Sequence, residues 1–265
     1  MRRALLTAVV LALAAPPAGA WPAETMTAVG RDARRLLPRS LAQLLAEREP
    51  QIRDQVARFP PELVRALAED LPTGRLRAET LAALAAEVDG SVALFHERRV
   101  SEGLVRLGAL LRISADLSDP VLAVGPEGWP PGLTREYYAL FDANLDRMPV
   151  VLDDPKALEL KRAQLPQLWQ SLLDRSRAQV PTIREELFRG GRVVSHARLD
   201  YRSPAWAMAS IAYSHAVTAT AATWLAAWRE ARGDPTRAGR PRLIAPQDAP
   251  APPVADRRSP RPEAP

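Results

Sequence analysis

The sequence predicts an all-α fold, on three observations. Residues 26–231 are dense in Ala, Leu, Arg and Glu, strong helix formers that outnumber the β-branched residues. Pro and Gly recur at Pro38, Pro50, Pro60-Pro61, Pro72-Thr73-Gly74, Gly125 to Gly132, Pro149, Pro155, Gly190-Gly191 and Pro204, cutting this body into helices of ordinary length. No segment alternates convincingly between apolar and polar residues. Gly190 to Ser195 (GGRVVS) is the best strand candidate and does not change the class.

The clearest helices follow in chain order. Residues 77–97 set Leu81, Leu84, Ala85, Val88, Val92 and Phe95 at helical spacing, the stripe of a buried face. Ser101 is placed to cap a helix over 102–118, with Leu104, Leu107, Leu110, Leu111 and Leu117 as its apolar set. Thr134 opens 135–147. Pro155 opens a helix running to about Arg177. Pro204 sits where a first helical turn tolerates proline and begins 205–231. That last helix carries Ala, Met and Trp over much of its surface, which predicts a long, buried C-terminal helix at the centre of the fold.

The ends differ from the body. Arg2-Arg3, the 12-residue apolar run Ala4 to Ala15, the Pro16-Pro17 break and Ala18-Gly19-Ala20 have the layout of a secretory signal peptide over 1–20. The apolar run is too short to span a bilayer. Cleavage leaves Trp21 as the mature N-terminus, no transmembrane segment, and a secreted or periplasmic protein. At the other end, nine of residues 232–265 are Pro and large apolar residues are nearly absent. Such a composition predicts a disordered Pro/Arg-rich tail, able to contact anionic envelope surfaces.

Charge and composition exclude several function classes. The net charge of +5 resides at the termini. The two ends hold nine of the 36 basic residues and four of the 31 acids, which leaves 27 of each in residues 21–231. A neutral body disfavours nucleic acid as a partner. The chain has no Cys, so it builds no disulfide, thiolate metal site, cysteine nucleophile or lipobox anchor. It contains no G-x-S-x-G, P-loop, G-x-G-x-x-G or H-E-x-x-H motif. Of its 3 His, His96 lies among charged neighbours, and His196 and Asp200 stand four apart as a surface pair. His215 falls on the most apolar helix, where a buried, hydrogen-bonded core His is expected.

One segment stands apart. In Arg106-Leu107-Gly108-Ala-Leu-Leu-Arg112-Ile-Ser-Ala-Asp116-Leu-Ser118-Asp119-Pro120-Val-Leu122, a Leu-Gly pair precedes Arg112, with Asp116 four residues on and Pro120 eight on. This resembles the signature helix of the zinc-dependent phospholipase C and single-strand nuclease superfamily. That signature has His where this chain has Arg112 and Leu122. Other features resemble the same family in order: Trp21 at the cleavage point, Met26 in place of a His, Asp70 in Glu69-Asp70-Leu71-Pro72, Thr80-Leu81 for a Thr-His pair, and Tyr138 with Asp142 for a closing His and carboxylate. The resemblance covers roughly residues 21–145. Ser203 to Trp228 is similar to the C-terminal helix of bacterial relatives.

The resemblance implies a multi-helix phospholipase C-like bundle over 21–231, with Trp21, Asp70, Arg112, Asp116 and Asp142 as remnants of one cleft. Members of the family are secreted phosphodiesterases holding a zinc cluster through a mature N-terminal Trp, carboxylates and histidines. Here every alignable His is replaced: Met26, Leu81, Arg112, Leu122 and Tyr138. Zinc sites of this kind rest on imidazole, which Met and Leu cannot replace. Zinc is thus expected of the family and not of this chain, and no other cofactor is implied. The expectation is a pseudoenzyme acting as a binding or structural protein, its ligand unspecified. The alternative is a hydrolase acting on phosphodiester bonds of phospholipid headgroups or nucleotides. Arg112 and Asp116 form either a plain i,i+4 ion pair or part of a guanidinium bridge among Asp70, Asp116 and Asp142. In that bridge Arg112 should depress the pKa of its carboxylates.

Overall fold

The computed structural model describes residues 21–233 apart from Asp153. The predicted signal peptide 1–20 and nearly all of the predicted tail lie outside the described residues.

Proline and local caps set most helix starts. α1 (Ala23–Arg34) follows Pro22, α2 (Arg39–Ala46) follows Pro38, α3 (Glu49–Ala57) has Pro50 in its first turn, and α4 (Pro61–Asp70) begins on Pro61. Each Pro occupies a place where no intrahelical N–H is required. α5 (Ala78–His96) matches its prediction within one residue at each end and buries Leu84, Val88 and Val92, with Leu81 and Phe95 half-buried.

The predicted helix 102–118 is two helices, α6 (Val100–Ala109) and α7 (Leu111–Leu117). At Leu110 the backbone tightens: its N–H bonds the Leu107 carbonyl and its carbonyl accepts from Ile113, both at 3.1 Å and both three residues apart. Ser101 lies inside α6 and caps nothing; its hydroxyl accepts from Arg48 Nε at 3.0 Å. Gly108 of the Leu-Gly pair has a packing reason. A Cβ there would lie 2.4 Å from Ile52 Cδ1, so only Gly lets α6 approach α3 this closely.

α8 (Leu133–Asn144) starts after Gly132, whose φ of 84° is left-handed. The last three residues of the predicted 135–147 helix form a separate 3₁₀ turn, Leu145–Arg147. The helix expected from Pro155 does not form there. Pro155–Glu159 and Arg162–Gln164 are 3₁₀ turns, parted by the extended Leu160 and Lys161. Arg229 holds this stretch on the bundle by bonding the Leu158 carbonyl at 2.6 Å. The true helix is α9 (Leu165–Leu187), ten residues beyond the predicted end. It runs through Pro181 because Trp169, Leu173, Val180, Ile183 and Leu187 bury one continuous face.

After α9 the chain forms a two-residue hairpin, β1 (Phe188–Arg189) with β2 (Arg192–Val193). Gly190 and Gly191, at φ of 57° and 75°, supply the left-handed turn that such a hairpin needs. α10 (Pro204–Glu230) is capped by Ser203, which accepts from the Trp206 N–H at 3.2 Å. From Ala219 to Ala227 every residue of α10 is buried, and the helix packs on α1, α5, α7 and α9, so it is the central helix. Its run of Ala and Thr lets those neighbours approach. The fold is all-α, and no helix among the described residues is long and apolar enough to cross a membrane.

Candidate functional site

The signature segment builds a buried pair of carboxyl groups at the end of α7. Arg112 and Asp116 lie one turn apart on α7, so their side chains meet. Arg112 Nε donates to Asp116 Oδ2 at 2.7 Å; Asp116 is 3% exposed and Arg112 18%. Asp116 Oδ1 is buried with no hydrogen-bond partner among the described residues. Burial pushes the Asp116 carboxyl above its ordinary pKa, and Arg112 only partly opposes this.

Asp119 follows in the turn after α7 and is fully buried. Pro120 has no N–H, so the first free donor is the next residue. Val121 N–H accordingly donates to Asp119 Oδ1 at 2.8 Å, an Asx turn. From α8, the Tyr138 hydroxyl donates to Asp119 Oδ2 at 2.7 Å. Burial pushes Asp119 up to about 7; the Tyr138 hydroxyl and the backbone N–H groups of Val121 and Leu122 oppose the rise, while neighbouring Asp116 adds to it. The Tyr138 phenol is held well above its ordinary pKa by burial and by Asp119. Tyr137 is fully buried beside them, its hydroxyl without a partner among the described residues.

Surrounding elements fix this loop. Ser176 of α9 donates to the Leu117 carbonyl at 2.7 Å. Arg177 Nη1 donates to the carbonyls of Ala123 at 2.6 Å and Pro72 at 2.9 Å. Trp129 Nε1 donates to the Val121 carbonyl at 3.1 Å.

Trp21 is buried, its ring 5.1 Å from Phe141 and 6.4 Å from Tyr213. Phe141 meets Tyr137 edge-on at 5.2 Å, and Tyr137 lies 6.0 Å from Tyr138. At the other end, the Tyr213 hydroxyl donates to buried Asp32 at 2.7 Å, and Arg31 and Arg35 neutralise Asp32 at 3.2 and 3.3 Å. A run of five packed rings thus connects two Tyr–Asp hydrogen bonds, the Tyr213–Asp32 one buried and the Tyr138–Asp119 one partly so.

The other residues that the resemblance groups into one cleft are engaged elsewhere. Asp70 ends α4, accepts the Arg77 N–H at 2.8 Å and also binds the Arg77 side chain, fastening the loop between α4 and α5. Asp142 is exposed on α8, raised in pKa by partial burial and then by Glu24 of α1. Neither forms a hydrogen bond or ion pair with Arg112 among the described residues, so the bridging expectation is corrected: Arg112 holds Asp116 alone. The expected direction of the carboxylate pKa is corrected too, because burial outweighs the guanidinium at Asp116.

The residues standing where the resemblance expects histidine do not fit zinc. Met26 is buried, Leu81 and Leu122 pack on the core, Arg112 is cationic, and Tyr138 spends its hydroxyl hydrogen on Asp119. Among the described residues no three His, Cys, Asp or Glu side chains converge as a metal site requires. Two of the histidines, His196 and His215, also depart from expectation. His196 belongs to a 3₁₀ turn, so it shares no helical face with Asp200; its Nδ1 lies 2.8 Å from Glu136. That contact holds Glu136 below the usual carboxylate range. His215 is half-buried rather than buried, and His96 is exposed at the end of α5.

Asp119 is the site residue that sequence reasoning missed. Its signal was the Asp-Pro step closing an apolar helix, which marks an Asx turn. A small surface notch among α1, α2, α3, α7 and α10, lined by Leu45, Ile52, Leu111 and Trp224, contains neither Asp116 nor Asp119. Comparison with protein-family models, curated proteins and solved structures finds no match for this chain.

Proposed function

We propose that the protein is an exported, non-catalytic relative of the phospholipase C and single-strand nuclease superfamily, serving as a binding or structural protein. The observation that carries this reading is the engagement of the signature carboxyl group, Asp116, and of its buried neighbour Asp119 by protein side chains. Arg112 and Tyr138 stand at two of the family's histidine positions and hydrogen-bond Asp116 and Asp119, each at 2.7 Å. A guanidinium at one carboxylate and a phenol at the other supply the charge and hydrogen bonds that a bound cation would otherwise provide.

Elemental analysis of the purified mature protein, run beside assays with a chromogenic phosphocholine ester and single-stranded nucleic acid, tests the reading. The expected result is no stoichiometric zinc and no turnover above background, with or without added zinc. Turnover abolished by chelator and restored by zinc overturns it.

A second reading, a hydrolase of phosphodiester bonds, draws on Asp119. A carboxyl group pushed up to about 7 is partly protonated at neutral pH, as a general acid must be. That reading expects chelator-resistant turnover that disappears in Asp119→Asn.

A further inference from the structure

The excursion between α9 and α10 concentrates charge in an otherwise neutral body. Residues 188–202 hold Arg189, Arg192, Arg198 and Arg202 against the single acid Asp200, while residues 21–231 as a whole balance at 27 of each sign. All four Arg are exposed. Arg189 is paired with Glu186 at 2.6 Å, and Arg202 lies over the Tyr201 ring. Arg192 and Arg198 have no carboxylate partner among the described residues. Asp200 is occupied locally, its Oδ1 accepting the Arg202 N–H at 2.9 Å.

Large rings are interleaved with these charges. Phe188 is 37% exposed and Tyr201 59%. The hairpin tip stands clear of the body: a Cβ built on Gly190 or Gly191 meets nothing within 4 Å. The base of the excursion is anchored. Val194 N–H bonds the Leu187 carbonyl at 2.8 Å, His196 rests on Glu136, and the Ser203 hydroxyl bonds the Asp200 carbonyl at 2.8 Å. Little chain entropy remains to be lost on docking.

We infer that residues 188–202 form a docking surface for an anionic lipid bilayer, with Arg192 and Arg198 on headgroup phosphates and Phe188 and Tyr201 at the headgroup level. Arg and aromatic side chains divide in this way at a membrane interface, the cation in the polar layer and the ring at its apolar boundary. A bilayer fits better than nucleic acid because the charge ends with this short excursion, whereas a polynucleotide is held by a basic tract along the folded body. The inference is independent of the Asp116–Asp119 site and of whether that site is catalytic.

Sedimentation of the full-length mature protein with vesicles tests it. Binding is expected to vesicles of phosphatidylglycerol and phosphatidylcholine in equal parts, to weaken as salt is added, and to be absent with phosphatidylcholine alone. At about 1 kcal/mol per basic side chain, Arg192→Gln with Arg198→Gln should weaken binding about 25-fold. Arg192→Lys with Arg198→Lys should retain it, which separates charge from any effect on folding. Phe188→Ser with Tyr201→Ser should weaken binding while leaving its salt dependence. The inference is overturned if the Gln pair binds like wild type, which would assign the attraction to another basic segment such as residues 232–265. It is equally overturned by no vesicle binding, by equal binding to neutral vesicles, or by preference for a single-stranded oligonucleotide over anionic vesicles.

Discussion

Tyr138 donates its phenolic hydrogen to Asp119 across 2.7 Å, from a position 19 residues further along the chain. The acceptor is fully buried and sits next to a second buried carboxyl, Asp116. Two acids in one apolar setting repel each other and retain protons, so this contact and the Arg112–Asp116 pair together determine how the core responds to pH.

Asp119→Asn should flatten that response. A carboxyl whose folded pKa is raised binds more protons in the native state than in the unfolded state. Its contribution is therefore complete below the unfolded pKa near 4 and is lost as pH rises through the folded value of about 7. Wild type should lose up to roughly 4 kcal/mol between those limits relative to Asp119→Asn. Urea melts of both proteins at pH values spanning that window read the difference directly; parallel curves would place Asp119 in an ordinary solvated environment.

Tyr138→Phe removes the donor and leaves Asp119 Oδ2 buried without it. The expected cost at neutral pH is about 1.5–3 kcal/mol, as for a hydrogen bond to a charged group, and about 1 kcal/mol in acid, where Asp119 is neutral. A loss that does not depend on pH would mean that the ring, not the hydroxyl, carries the effect.

Arg112→Ala strips Asp116 of its one cation. The pair is mostly buried, so the loss should exceed the roughly 1 kcal/mol of an exposed pair. It should stay below the roughly 3–5 kcal/mol of an unrelieved buried charge, since Asp116 can take up a proton instead. The loss should be largest at neutral pH and smallest in acid, where Asp116 is protonated with or without Arg112. Thermal melts at two pH values check both size and sign.

Trp21 lies within the ring run that ends at Tyr138 and Asp119, between Phe141 and Tyr213. Trp21→Ala should cost about 3–5 kcal/mol through the cavity left between Phe141 and Tyr213. N-terminal sequencing of exported protein should read Trp-Pro-Ala-Glu; recovery of Met1 on that material would remove the export proposal.

Gly108→Ala places a methyl against Ile52, with overpacking worth about 1–3 kcal/mol against a helix-propensity gain of about 0.5–1. Net destabilisation is expected, and Ile52→Val in the same chain should recover part of it. A stabilised single variant would mean that α3 and α6 move apart freely.

Local chemistry was enough to determine the helical class, the starts of α5, α8 and α10 to within two residues, and the meeting of Arg112 with Asp116, because helix propensity, proline placement and the i,i+4 spacing act over a few residues. Tertiary packing decided the rest. The break at Leu110 and the course of α9 through Pro181 depend on which faces find neighbours. Nothing near Asp70 in sequence marks Arg77 as the residue that takes its carboxylate. His196 turns from Asp200 to Glu136, 60 residues away, because the excursion folds back on α8. Asp119 carries only a turn signal locally. Its raised pKa exists because α8 and α9 close over the loop and strip it of water, more than the Tyr138 hydrogen bond offsets, and desolvation is a property of everything packed around a group, not of the residues beside it in the chain.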